Sequence, residues 1–185
     1  MRLHLIRHTR PLIADGYCYG QTDVDVSETE FLALASQLSE QLQAGLPVFS
    51  SPLLRCARLA KCLHDEPRFD SRLKEINFGK WEMQAWDAIP RYEIDAWAAA
   101  PASYKPGGAE SAIDLAQRVI YWLNDLRQLN MPEAIVVTHA GVIRMLRAWR
   151  EDMSAEELAQ LVCTQNLSLA FGEYQEILVF QSYCR

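Results

Sequence analysis

The sequence predicts an α/β fold. It is a three-layer sandwich whose mostly parallel, mixed central sheet is flanked by helices, with a helical excursion over the site at the strand ends. Three observations predict it. Short apolar runs alternate with amphipathic stretches of helical period, and this βαβα order leads to a layered domain with a parallel sheet. The run Ile135-Val136-Val137 does not alternate with polar residues, which suits a strand buried on both faces. Two apolar runs, Leu3–Ile6 and Ile135–Val137, are each followed by a histidine, His8 and His139. Polar chemistry at the carboxyl end of a buried strand is where open α/β sheets form their ligand crevice.

Each element follows in order. Leu3, Leu5 and Ile6 make the first strand, and Arg7-His8 ends it. Residues 11–26 read as a long loop around the turn dipeptide Asp15-Gly16, and a loop of that length is either functional or plain surface. Ser27 with Glu30 forms a capping box ahead of Phe31, Leu34, Ala35, Leu38 and Leu42 at helical spacing. Gly45 and Pro47 end that helix, and Pro47–Ser50 is a second strand. Ser51 and Pro52 are the expected N-cap and first residue of the next helix, with Arg55 in its first turn and Arg58 one turn on. Arg68–Leu73 reads as a short edge strand. Residues 78–108 hold Trp81, Trp86, Tyr92, Trp97 and Tyr104 and read as the helical, aromatic roof. Ala109–Leu129 is an amphipathic helix burying Ile113, Ala116, Val119, Ile120, Leu123 and Leu126. Glu133–Thr138 is the clearest strand, followed by a helix over Val142–Trp149. Ser154 with Glu157 caps another helix. Leu167–Phe171 and Ile177–Phe180 read as terminal strands joined by a hairpin loop.

Composition narrows the function. With 185 residues, no repeat and no Gly/Ser linker, the chain is expected to be one domain, 1–185. A net charge of -6 and a pI near 5.2 argue against general nucleic-acid binding, while leaving room for a local basic site. No apolar run has the length of a membrane span. Arg2, His4, Arg7 and His8 interrupt any signal-peptide core, so a cytoplasmic location is expected. Cys18, Cys56, Cys62, Cys163 and Cys184 are scattered, odd in number and without a CxxC pair, which suggests reduced thiols and no zinc site.

The chemistry lies in a combination. Arg7-His8, Ser51-Pro52-Leu53-Leu54-Arg55, Leu73-Lys74-Glu75 and Thr138-His139-Ala140-Gly141 bring two arginines, two histidines and a carboxylate. Guanidiniums can neutralise phosphoryl oxygens, and positioning and electrostatics carry most of phosphoryl transfer. A neutral imidazole can attack phosphorus. Alone, each signal has a structural explanation: His4 and His64 read as structural histidines, Arg55 and Arg58 could be surface residues, and the tryptophans read mainly as packing.

On these motifs the chain resembles the histidine phosphatase superfamily, or phosphoglycerate mutase-like fold, over nearly its whole length. Leu5-Ile6-Arg7-His8-Thr9 is similar to the family's R-H-G signature, Ser50–Cys56 to its S-S-P-x-x-R segment, and Val137–Arg144 to its second-histidine segment. Gln165-Asn166-Leu167-Ser168 is similar to its late Asn-containing turn. The resemblance implies that His8 becomes phosphohistidine, that Arg7, Arg55 and His139 complete the phosphate pocket, and that Glu75 is the general acid/base. It implies no metal and no cofactor. Thr9 departs from the usual glycine, so either the backbone there tolerates a β-branched residue or its hydroxyl is an extra phosphate donor. Where some members carry an asparagine this chain has Ala14, so that phosphate contact is either missing or supplied by Gly20, Gln21 or Thr22; Ala140 is a further candidate contact.

Glu75-Ile76-Asn77-Phe78-Gly79-Lys80-Trp81-Glu82 looks like the phosphatase branch and lacks the Arg and His of the mutases. The resemblance therefore implies a histidine acid-type phosphatase acting on a small phosphomonoester. Within that branch the chain looks most like the alpha-ribazole phosphatases of cobalamin biosynthesis, which act on alpha-ribazole 5′-phosphate. The expected partner is that small molecule, with no nucleic acid and no membrane, for a monomer or homodimer. The alternatives are phosphoglycerate mutase-type transfer and a non-catalytic phospho-ligand binder.

Overall fold

A computed structural model describes residues 1–165 and 167–180. Five strands form one mixed sheet in the order β3-β2-β4-β1-β5. They are β1 (Arg2–Arg7), β2 (Val48–Ser50), β3 (Arg68–Phe69), β4 (Glu133–Thr138) and β5 (Tyr174–Leu178). β1, β2, β3 and β4 pair in parallel, and β5 runs antiparallel to β1. The α-helices are α1 (Glu28–Gln41), α2 (Leu54–Leu63), α3 (Arg91–Ala99), α4 (Ala112–Gln128), α5 (Ala140–Ala148) and α6 (Ala155–Thr164).

The layers follow from the two faces of the central strands. Leu3, Leu5, Val136 and Ala134 join one core with α4, α5 and α6. Ile6, Ile135, Val137 and Val48 face the other side and pack with α1 and α2. The unalternating apolar strand β4 is thus buried on both faces, as a central parallel strand must be. A third, smaller cluster of Cys18, Trp81 and Ile89 takes in Phe78, Trp86, Ile94, Trp97 and Tyr104 and forms the roof. The Trp81 ring is buried and its Nε1 donates to Glu93 Oε2 at 2.6 Å, so packing explains this tryptophan. The long loop is bound to the roof by backbone hydrogen bonds from Cys18 to Gln84 O (2.9 Å) and from Met83 to Cys18 O (2.6 Å). The roof closes through Gly107, whose φ is +59° and where a Cβ would stand 1.9 Å from the Phe78 carbonyl oxygen.

Several expected boundaries move. The helix after β2 starts at Leu54, with Leu53 as N-cap, because Ser51 and Pro52 turn the chain and Asp23 Oδ1 accepts from Leu54 N at 2.8 Å. The edge strand is only Arg68–Phe69, and Ser71–Leu73 is a 3-10 turn. α4 begins after a capping box of Ser111 and Asp114, and its buried face includes Leu115 and Trp122, with Ile113 and Ile120 only partly covered. The expected strand Leu167–Phe171 does not form. Its carbonyl and ring instead serve Arg7: Leu169 O accepts from Nη1 at 2.7 Å, and Arg7 Cζ lies 3.8 Å from the Phe171 centroid. A turn at Ala170–Glu173 then feeds β5, so the expected terminal hairpin is absent among the described residues. Asn166 of the expected Asn-containing turn lies outside the described residues.

Candidate active site

The two histidines meet because their strands are neighbours in register. Arg7 pairs with Thr138, so His8 and His139 leave the sheet side by side with ring centroids 5.0 Å apart. His8 Nδ1 lies 2.7 Å from Thr9 O. A carbonyl only accepts, so Nδ1 carries the proton and the lone pair is on Nε2. Burial, reinforced by the Arg55 and Arg7 charges, lowers the His8 pKa to about 3. The same burial, together with His8 and Arg55, holds His139 well below the usual histidine value. Both rings are therefore neutral near pH 7. His139 Nε2 lies 2.8 Å from Ser51 Oγ, which orients the ring from the end of β2.

Arg55 enters from the first turn of α2 and is fully buried. It donates to Gly20 O (2.6 Å) and Thr22 O (2.9 Å). Glu82 in turn holds that loop, accepting from Gln21 N (2.9 Å), Thr22 N (2.8 Å), Thr22 Oγ1 (2.6 Å) and Phe78 N (3.0 Å). The backbone donors of Gln21 and Thr22 are thus engaged, and the Gln21 amide donates to Glu75 O at 2.9 Å. These loop residues bear on the site through Arg55 and Glu75 rather than as free donors. Arg58 is elsewhere, paired with Glu28 on the surface at 2.5 Å.

Glu75 lies on the irregular segment after Leu73. Its Oε1 accepts from Ile76 N at 2.9 Å and from Gly141 N, in the first turn of α5, at 3.1 Å. A Cβ on Gly141 would stand 2.3 Å from that oxygen, so the approach requires glycine. Glu75 and Arg7 border a cavity of about 470 Å3 whose walls include Ile76, Phe78, Trp97, Leu115, Ala140, Arg144 and Met145.

Among the described residues, four buried side-chain polar atoms have no hydrogen-bond partner: Arg7 Nε, Thr9 Oγ1, Arg55 Nε and Arg144 Nε. All four belong to residues at His8 or on the cavity wall. Native proteins pair nearly all such atoms, and an exception calls for a specific reason. Unpartnered donors and guanidinium charge beside a neutral histidine are the chemistry an anion site requires, with the imidazole as a candidate nucleophile. Among the described residues, no three His, Cys, Asp or Glu side chains converge as metal ligands. No described helix is long and apolar enough to cross a membrane. Sequence reasoning missed Ser51 as the partner of His139, Asp23 as the cap of α2, and Glu82 and Arg118 as backbone holders. Ser51 and Glu82 lie inside the quoted motifs, but these bonding roles have no local signature, because each side chain bonds to a segment distant in sequence.

Comparison with known proteins gives the arrangement a lineage. Residues 3–177 match the model of the histidine phosphatase superfamily (branch 1). The chain is 29% identical, over 80% of its length and 72% of the relative's, to glucosyl-3-phosphoglycerate phosphatase from Mycolicibacterium vanbaalenii. A crystal structure of a phosphoglycerate mutase from Thermus thermophilus is 28% identical, with a TM-score of 0.72 over 96% of this chain and 92% of that one. The alpha-ribazole phosphatase of Shigella flexneri, 24% identical, shares the fold with a TM-score of 0.79 over 98% and 92% of the two chains. The chain belongs to the histidine phosphatase superfamily, whose phosphatases and mutases act on small phosphorylated molecules.

Proposed function

We propose that the protein hydrolyses a small phosphomonoester in two steps through a phosphohistidine on His8. The carrying observation is the set of unpartnered buried groups on Arg7, Thr9 and Arg55, the residues that bear on a neutral imidazole whose Nε2 holds its lone pair. Nε2 attacks phosphorus and a P–N bond forms while the P–O bond to the alcohol breaks. Glu75 gives its proton to the departing oxygen. Water then attacks phosphorus, Glu75 takes a proton from it, and the P–N bond breaks to return the lone pair to His8. Arg7, Arg55 and His139 hold the phosphoryl oxygens, and the Thr9 hydroxyl adds a donor.

The cavity beside Glu75 receives the alcohol. Its apolar wall, with Phe78 and Trp97 among its members, suits a flat ring and supports alpha-ribazole 5′-phosphate as the substrate. Ile76 stands on that wall, where a mutase would need a cation for a second phosphoryl group.

The test is phosphate release from an aryl phosphate and from alpha-ribazole 5′-phosphate, with His8→Ala alongside. Turnover and an acid-labile phosphoprotein, both lost in the variant, are expected. Their absence in the wild type overturns the reading. Turnover of the aryl ester with no preference for the ribazole ester overturns the substrate alone.

A further inference from the structure

We infer that Arg118, with Glu110, is a positioning device for Glu75. The inference rests on the reading of Glu75 as general acid/base. Glu75 sits in neither helix nor strand, so the backbone around it lacks ladder partners and must find others. Side chains supply them. Thr138 Oγ1 donates to Leu73 O at 2.7 Å. Arg118, reaching from α4, donates to Arg72 O (2.6 Å), Lys74 O (2.7 Å) and Glu75 O (3.0 Å). Its remaining donors go to the Glu110 carboxylate at 2.6 and 3.0 Å. The five N–H groups of one guanidinium thus meet five acceptors. Glu110 Oε2 also accepts from Asn77 N at 2.9 Å. The pair therefore grips the backbone on both sides of Glu75, and both side chains are largely buried, at 16% and 14% exposure.

That grip sets where the Glu75 carboxylate meets α5. Its Oε1 is held between Ile76 N and Gly141 N, so a shift of the backbone at residue 75 moves the proton away from the leaving oxygen. Arginine is needed because lysine keeps the charge but has three donors from one point and cannot span three carbonyls and a carboxylate. The grip acts chiefly on the proton transfer, since Arg7, Arg55 and the histidines are carried by other elements, with Arg55 tied to this segment through the loop whose Gln21 amide donates to Glu75 O.

The test compares Arg118→Lys and Glu110→Gln with Glu75→Gln on an alkyl phosphate and on p-nitrophenyl phosphate, whose leaving group needs little help from a proton. For Arg118→Lys, kcat/KM, which reports phosphorylation of His8 and not the later attack of water, should fall on the alkyl ester by about 10- to 100-fold, as expected when a reacting group is misplaced by about 1 Å. On the aryl ester it should stay within about 3-fold. In a Glu75→Gln background, Arg118→Lys should add almost nothing on the alkyl ester, because both changes remove one function. Equal losses on both esters, or full additivity with Glu75→Gln, overturn the inference. If Arg118→Lys does not fold by thermal unfolding, Glu110→Gln carries the same comparison with a near-isosteric change. A Glu75→Gln variant with no leaving-group dependence overturns the acid reading, and this inference with it. A steep Glu75→Gln beside flat Arg118 and Glu110 variants overturns this inference alone.

Discussion

Replacing Gly141 with alanine probes the proposed acid through its neighbour. The new Cβ would stand 2.3 Å from Glu75 Oε1 and 3.2 Å from Leu115 Cδ2. Ordinary contact begins near 3.4 Å, so the carboxylate must retreat by about 1 Å. It then loses the Gly141 N–H bonds of 3.1 and 3.3 Å. A displacement of that size at a reacting group costs about 100-fold in rate. The stability change is small. Alanine in place of glycine gains about 0.5–1 kcal/mol within a helix, while the lost hydrogen bonding costs about 0.5–1.5 kcal/mol. Gly141→Ala should therefore melt within a few degrees of the wild type while kcat/KM, which excludes the water step that Glu75 also serves, falls about 100-fold on an alkyl phosphate and much less on p-nitrophenyl phosphate. Steady-state kinetics on the two esters beside thermal unfolding make the measurement. Wild-type turnover of the alkyl ester by a folded Gly141→Ala would show that the Glu75 carboxylate is not the working group.

Two further outcomes follow from the site. Burial holds His8 and His139 neutral, so the unfolded chain binds more protons once the pH drops through the ordinary histidine value of 6.5. Stability should be fully present above that pH and decline below it, by about 1.4 kcal/mol per pH unit for each histidine. For His8 the decline continues toward its folded value of about 3. Urea unfolding between pH 7.5 and 5 measures this, and a midpoint constant across that range contradicts it. Glu82→Gln weakens the hold on the loop whose carbonyls orient Arg55, so kcat/KM should fall about 10-fold on alkyl and aryl esters alike. A loss confined to alkyl esters would assign Glu82 to proton transfer instead.

The sheet was legible where burial left a pattern. Ile135-Val136-Val137 marks a strand covered on both faces, and β4 spans Glu133–Thr138 as expected. His8, Arg55 and His139 were readable because each follows a strand or opens a helix, and the parallel sheet brings such ends together; Glu75, in neither, was readable only through the family motif its segment resembles. Leu167–Phe171 misled because its apolar residues imitate a strand, while in fact the Phe171 ring stacks on the Arg7 guanidinium and Leu169 gives it a carbonyl. Ser51-Pro52 misled because the cap of α2 comes from Asp23, some thirty residues earlier. Glu82, Glu110 and Arg118 were invisible for the same reason: a side chain bonded to distant backbone has no periodicity to betray it.

The partners of β1 set the order in which the site is assembled. The strand that delivers His8 pairs at Arg2 with Glu133 on one side and Leu178 on the other. Both edges of β1 are therefore satisfied only by segments far along the sequence, β4 on one side and β5 on the other. Contacts so distant in sequence carry a large loop-closure cost and form late in folding. The local helices can precede them, but the histidine pair cannot. The Arg7 guanidinium likewise takes its ring from Phe171, far along the sequence. A nascent or partly folded chain thus holds all the chemical groups of the site without the site itself, which closes in the same event that completes the sheet.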